Sequence, residues 1–132
     1  MAHFERALYA EPGQDLSRLW WNLVERFQGI RPPGGRPTLP DWAAKLHIAL
    51  APVYYHNYLL GEMLASQLLN HLQNTVINGT DPDAVVSSPR VGAYLREAVF
   101  AHGAALRWDH LTFAATGEDL NPEYFVAQLR GG

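Results

Sequence analysis

Residues 44–58 gather one cation, two imidazoles and three phenols: Lys45, His47, Tyr54, Tyr55, His56 and Tyr58. A lysine beside tyrosine hydroxyls could hold a carboxylate, and a neighbouring phenol or imidazole could donate a proton to a developing oxyanion. On one helix Tyr55 and Tyr58, three residues apart, project from a single face. A plainer reading competes with this one. Lys45 is then a solvated surface charge, and the tyrosines pack their rings inside with hydroxyls at the rim.

Other chemistry-bearing residues are more dispersed. His71 and His102 have no partner at metal-ligand spacing, so each reads as a hydrogen-bonded structural histidine. In Trp108-Asp109-His110 the carboxylate could orient the imidazole, although adjacent residues on a helix do not face each other. Glu118-Asp119 reads as a solvated turn. Asn78-Gly79-Thr80 has the form of a glycosylation acceptor and, without an export signal, reads as a turn. There is no H-E-x-x-H, no phosphate-binding glycine loop and no nucleophile elbow. No metal ligand is assigned.

The elements that must carry these residues are helical almost throughout. Leu16, Leu19, Trp20, Leu23, Val24 and Phe27 form one apolar face, with Asp15 as N-cap and Gly29 as stop. Residues 30–40 are rich in Pro and Gly and predict a loop. A short helix from about Asp41 carries Trp42, Ala44 and Lys45. Pro52 then opens the longest helix, which runs to about Val76. Gly61 and Ala65 are small residues that would let another backbone approach. Residues 78–87 read as a polar connection. Ser88-Pro89 starts a helix with Val91, Leu95 and Val99 that stops near Gly103. Another spans about Arg107 to Thr116, and Asn121-Pro122 starts a last one. Phe4, Ala7 and Leu8 also look helical, without a cap, as at a native N-terminus or in a helix cut from a longer chain. The fold class is all-α, with residues 1–132 as a single helical domain.

Composition narrows the function. The 132 residues hold ten basic side chains, of which only Lys45 is lysine, and the formal net charge is −3. That balance disfavours nucleic-acid binding, which needs a clustered basic surface. With no cysteine, disulfide scaffolds, thiolate metal sites and cysteine nucleophiles are excluded. No apolar run reaches membrane-spanning length. No signal peptide is present, so the chain as it stands reads as cytoplasmic.

Two stretches resemble a known family. Trp20-Trp21-Asn22-Leu23-Val24-Glu25-Arg26-Phe27-Gln28-Gly29-Ile30-Arg31-Pro32-Pro33 resembles the W-W-x-L-x-x-K/R-Y-Q-G-x-x-P-P stretch of angiotensin-converting-enzyme-like peptidyl dipeptidases. Asp41-Trp42-Ala43-Ala44-Lys45-Leu46-His47 resembles the D-A-G-A-K-F-H that follows it there. A proline, a tyrosine pair and a long helix with Gln67 come next, in the family's order. Tyr54-Tyr55-His56-Asn57-Tyr58-Leu59 also partly resembles a helix of thimet-oligopeptidase-like enzymes, the second choice.

The resemblance implies the C-terminal portion of a helical zinc metallopeptidase. Lys45 and Tyr55 would grip the substrate's terminal carboxylate, His47 would bind the peptide backbone, and Tyr58 would stabilise the oxyanion. One more residue separates His47 from Tyr55 than in the family. A gapped register keeps Tyr55 and Tyr58 and aligns Gln67; an ungapped one substitutes Tyr54 and Asn57. In the gapped register Asn57 replaces an arginine that binds chloride in the animal enzymes. Zinc belongs to the complete enzyme and none is expected in this chain, so the chain alone should be inactive. Implied partners are the peptide's C-terminus, the upstream catalytic part of the same peptidase, and a second copy through exposed apolar surface. The alternative is a non-catalytic helical interaction module on the same scaffold. A small-ligand binder using the same cluster is a third option.

Overall fold

Asp15 accepts the backbone N–H of Arg18 at 3.0 Å and starts a helix that Gly29 ends in the left-handed region, at φ 67. Glycine suits that stop because it has no Cβ to clash. Both signals stand where the sequence predicts them. The computed structural model describes residues 1–34, 38–79 and 81–131. Gly35-Arg36-Pro37, at the centre of the 30–40 loop, and Thr80 of the Asn78-Gly79-Thr80 tripeptide lie outside the described residues. Contacts gather into two compact units, Met1–Tyr58 and Leu59–Gly132.

In the first unit, α1 (Ala2–Ala10) and α2 (Leu16–Gln28) bury Phe4, Trp20 and Val24. Phe4 is fully buried, edge-on to Trp20 at 5.3 Å and tilted against Trp42 at 5.5 Å. Edge-to-face rings satisfy the aromatic quadrupole while removing a large apolar area from water. Gln14 donates to the Ala7 carbonyl at 2.9 Å, capping the end of α1. After the loop, a 3₁₀ turn (Asp41–Ala44) and α3 (Leu46–Ala49) are separated by Lys45, which is extended at ψ 112.

The long helix starts later than expected. Pro52 does not open it; α4 runs His56–His71. Val53 interrupts the chain at φ 59. A β-branched residue in the left-handed region costs about 1–2 kcal/mol and cannot belong to a right-handed helix. The Glu5 carboxylate accepts the Val53 N–H and holds the turn in this conformation.

In the second unit, α4 passes into a π-helical turn (Leu72–Ile77) that ends at Asn78 in the left-handed region, at φ 57. The expected polar connection at 78–87 contains a helix, α5 (Pro82–Ser87). Asp81 accepts the Asp83 N–H at 3.0 Å, and Val85 joins a core of Leu72, Val76 and Val91. Six residues are too few to show helical periodicity, but Asp-Pro is itself a start signal. Next come α6 (Pro89–Ala98), a 3₁₀ turn (Phe100–His102), α7 (Trp108–Thr116) and α8 (Glu123–Leu129). Gly103 and Gly117 follow their helices at φ 51 and 84. Asn121 accepts the Glu123 N–H at 3.0 Å and starts α8. Ser88 makes no side-chain cap bond, so Pro89 alone marks the start of α6. Gly61 and Ala65 are exposed, and a Cβ on Gly61 would meet nothing within 4 Å, so no backbone approaches there among the described residues. Every regular element among the described residues is helical, as the sequence predicts.

Candidate functional site

The turn at Val53 folds α3 back against the start of α4, and His47 meets the tyrosines there. His47 Nε2 lies 3.1 Å from Tyr58 Oη. The imidazole stands edge-on to the Tyr55 ring at 5.2 Å and to the Tyr58 ring at 5.5 Å. The two phenols are themselves 5.4 Å apart. Tyr55 immediately precedes α4 rather than lying on it, and Tyr58 sits in its first turn. The pair still shares one face, because Tyr58 N–H bonds to the Tyr55 carbonyl at 3.3 Å.

Lys45 stands beside this cluster. Its Nζ is 5.5 Å from the centre of the Trp20 ring, a cation–π contact. Among the described residues no carboxylate pairs with it. Lys45, His47, Tyr55, Trp20 and Gln28 line a groove of about 320 Å³. An ammonium with no carboxylate partner among the described residues, beside a tyrosine and an imidazole and over an indole floor, suits a carboxylate attached to an organic chain.

The other tyrosine and the other histidine stand differently. Tyr54 packs edge-on to Tyr58 at 5.9 Å and is half exposed, while Asn57 and His56 are exposed on α4. The contacts of His47 fall on Tyr55 and Tyr58. In the second unit His71 Nε2 lies 3.0 Å from Tyr94 Oη, whose proton goes to the Ala115 carbonyl. His71 is a hydrogen-bonded structural histidine, as expected, and burial pushes the Tyr94 hydroxyl above its ordinary pKa. Asp109 does not orient His110. It pairs with Arg107, whose Nε donates at 2.6 Å, and the hydrogen bond holds its carboxyl at about 2.

Two residues have roles that residue type alone does not suggest. Gln67 is 1% exposed and carries four hydrogen bonds. It donates to Thr116 Oγ1 at 2.9 Å and to the Glu118 and Asp119 carbonyls, and it accepts the Asn121 N–H at 2.8 Å. The Glu118-Asp119 turn is therefore tied to the core, and Glu118 also accepts from the Tyr124 hydroxyl. The second residue is Glu5, a buried carboxylate whose position between Phe4 and Leu8 on α1 is the available signal.

Among the described residues no three His, Asp or Glu side chains converge as metal ligands. These residues do not fit a zinc site.

Fold and comparisons agree on the class, a helical metallopeptidase family. Residues 47–131 match the carboxypeptidase Taq (M32) metallopeptidase family, and the chain belongs to that family. It is also 30% identical, over 129 residues, to thermostable carboxypeptidase 1 of Pyrococcus furiosus. That match covers 96% of this chain and 25% of the relative, so the chain spans a quarter of the curated protein it matches. No solved structure matches. The metallopeptidase expectation stands, but the matching family is a carboxypeptidase family rather than the converting-enzyme-like peptidyl dipeptidases. The family match begins at His47 and includes Tyr55 and Tyr58.

Proposed function

We propose that this chain is the substrate-binding and oxyanion-stabilising part of a zinc-dependent carboxypeptidase, with residues 1–132 forming one helical portion of the larger enzyme. The observation that carries the reading is His47 Nε2 at 3.1 Å from Tyr58 Oη, beside a groove lined by Lys45 and Tyr55. Lys45 and Tyr55 hold the peptide's terminal carboxylate by charge-assisted hydrogen bonds. His47 binds the peptide backbone near the scissile bond and orients Tyr58. The Tyr58 hydroxyl donates to oxygen charge that appears only in the transition state. Zinc, held by parts of the peptidase outside these residues, would supply an activated water and polarise the carbonyl.

Two substrate preferences follow from one anchor. Removal of the last residue suits the name of the Pyrococcus relative. Removal of a dipeptide suits the converting-enzyme-like motifs around Trp20 and Lys45. Peptides differing only in a blocked penultimate bond separate them in the complete enzyme. Anchoring itself is tested on this chain by calorimetric titration with N-acetylalanylphenylalanine and its C-terminal amide. The free acid binds and the amide does not, and Lys45→Ala weakens the acid about tenfold. Equal affinity for acid and amide would overturn the reading. A non-catalytic interaction module is the second reading, favoured by exposed Leu46 and Leu50 on and beside α3, 61% and 76% accessible. It predicts that Lys45→Ala behaves as the parent.

A further inference from the structure

Glu5 is buried to 5% exposure near the start of α1, and its carboxylate accepts the N–H of Val53, far along the chain. Val53 is itself 59% exposed, so packing of its side chain does not hold it in the left-handed region at φ 59. Such a conformation persists in a β-branched residue only where surrounding structure imposes it. Among the described residues no other hydrogen bond ties 50–55 to a distant element. That turn is the whole connection between α3, which carries His47, and α4, which carries Tyr58. Its conformation therefore sets whether imidazole and phenol meet.

We propose that Glu5 is a positioning residue for the His47–Tyr55–Tyr58 cluster, acting through the backbone of Val53. This rests on the reading of that cluster as the carboxylate and oxyanion site. Glu5 touches no substrate. It fixes one backbone N–H, and the strained turn then places His47 at 3.1 Å from Tyr58.

Three variants of the whole chain test the clamp: Glu5→Ala, Glu5→Gln, and Glu5→Ala combined with Val53→Gly. Two quantities are read, the His47 Nε2 nitrogen shift by NMR and the Kd for N-acetylalanylphenylalanine. Glu5→Ala moves the nitrogen shift to that of a free imidazole and weakens binding about tenfold. Glu5→Gln keeps both, because its amide oxygen still accepts the Val53 N–H. Val53→Gly restores part of both to Glu5→Ala, since glycine takes a positive φ without a Cβ penalty. A folded Glu5→Ala chain with an unchanged His47 shift overturns the proposal. Equal loss in all three variants, with the thermal transition lost as well, overturns it too, because core burial alone then explains Glu5. Should Lys45→Ala leave the Kd unchanged, the site reading fails, and the His47 shift alone decides the clamp.

Discussion

One proton between His47 Nε2 and Tyr58 Oη decides which group is free to serve a substrate. If Nε2 is bare, the phenol donates to it and is occupied. If Nε2 carries a proton, the imidazole donates to the phenol oxygen, and the Tyr58 proton is free for an oxyanion. The second state is the one the proposed chemistry needs. In the complete peptidase Tyr58→Phe therefore lowers kcat by about 10²–10³-fold with KM nearly unchanged. Steady-state kinetics checks this, and a rise in KM alone would assign Tyr58 to ground-state binding. A second outcome concerns Asp109, whose carboxyl the Arg107 guanidinium depresses. A depressed carboxyl contributes stability above its ordinary pKa and loses it as pH falls through the folded value. The melting difference between the parent and Asp109→Asn should shrink as pH drops from 3.8 through about 2. It is small throughout, because the pair is exposed. A difference that persists at the acid end would show that the ion pair is not its source. In the sequence, residue types and spacing draw attention to residues 44–58, and the family resemblance singles out His47, Tyr55 and Tyr58 among them. The Lys45–Trp20 contact is not legible there, because periodicity places both residues on elements without saying which side chains meet.

At the scale of elements, capped and glycine-terminated helices are readable and interruptions are not. Asp15, Gly29, Gly103 and Gly117 mark ends through local chemistry that a sequence displays. The late start of α4 depends on Val53, whose side chain favours extended structure and whose conformation is imposed from α1. The helix α5 is too short for a periodic signal and is held by Val85 in the core. Gln67 shows the same dependence on distant partners. From α4 it satisfies the Thr116 hydroxyl at the end of α7, the carbonyls of the 118–119 turn and the Asn121 N–H before α8. Gln67→Leu keeps much of the volume and removes every bond. It leaves the part-buried Asn121 N–H without its partner, which costs about 1–2 kcal/mol. Urea unfolding measures that loss, with the secondary structure of the folded variant unchanged by circular dichroism. A cost below about 0.5 kcal/mol would mean that water replaces the side chain there.

At the scale of the whole molecule, large apolar side chains stand exposed in both units. In the second unit Val86, Leu129 and Phe100 are 89%, 71% and 67% accessible, and Phe113 and Trp108 are half exposed. Among the described residues the largest side chains buried to below 2% are Phe4, Gln67 and Thr112, and two of those three are polar. Aliphatic and aromatic area of this kind in water favours association at roughly 25 cal/mol per Å² covered. The curated relative is about four times as long as this chain. Supplied alone, the chain should cover these side chains with a second copy. Sedimentation velocity should show a species heavier than the 14.7 kDa monomer that grows with concentration. Phe100→Ser with Leu129→Ser should shift it toward monomer while leaving binding of N-acetylalanylphenylalanine unchanged, since neither residue belongs to the Lys45 groove. A parent chain that stays monomeric at every concentration would show that these side chains do not drive self-association. Loss of peptide binding in the serine variant would show that association and the site are coupled.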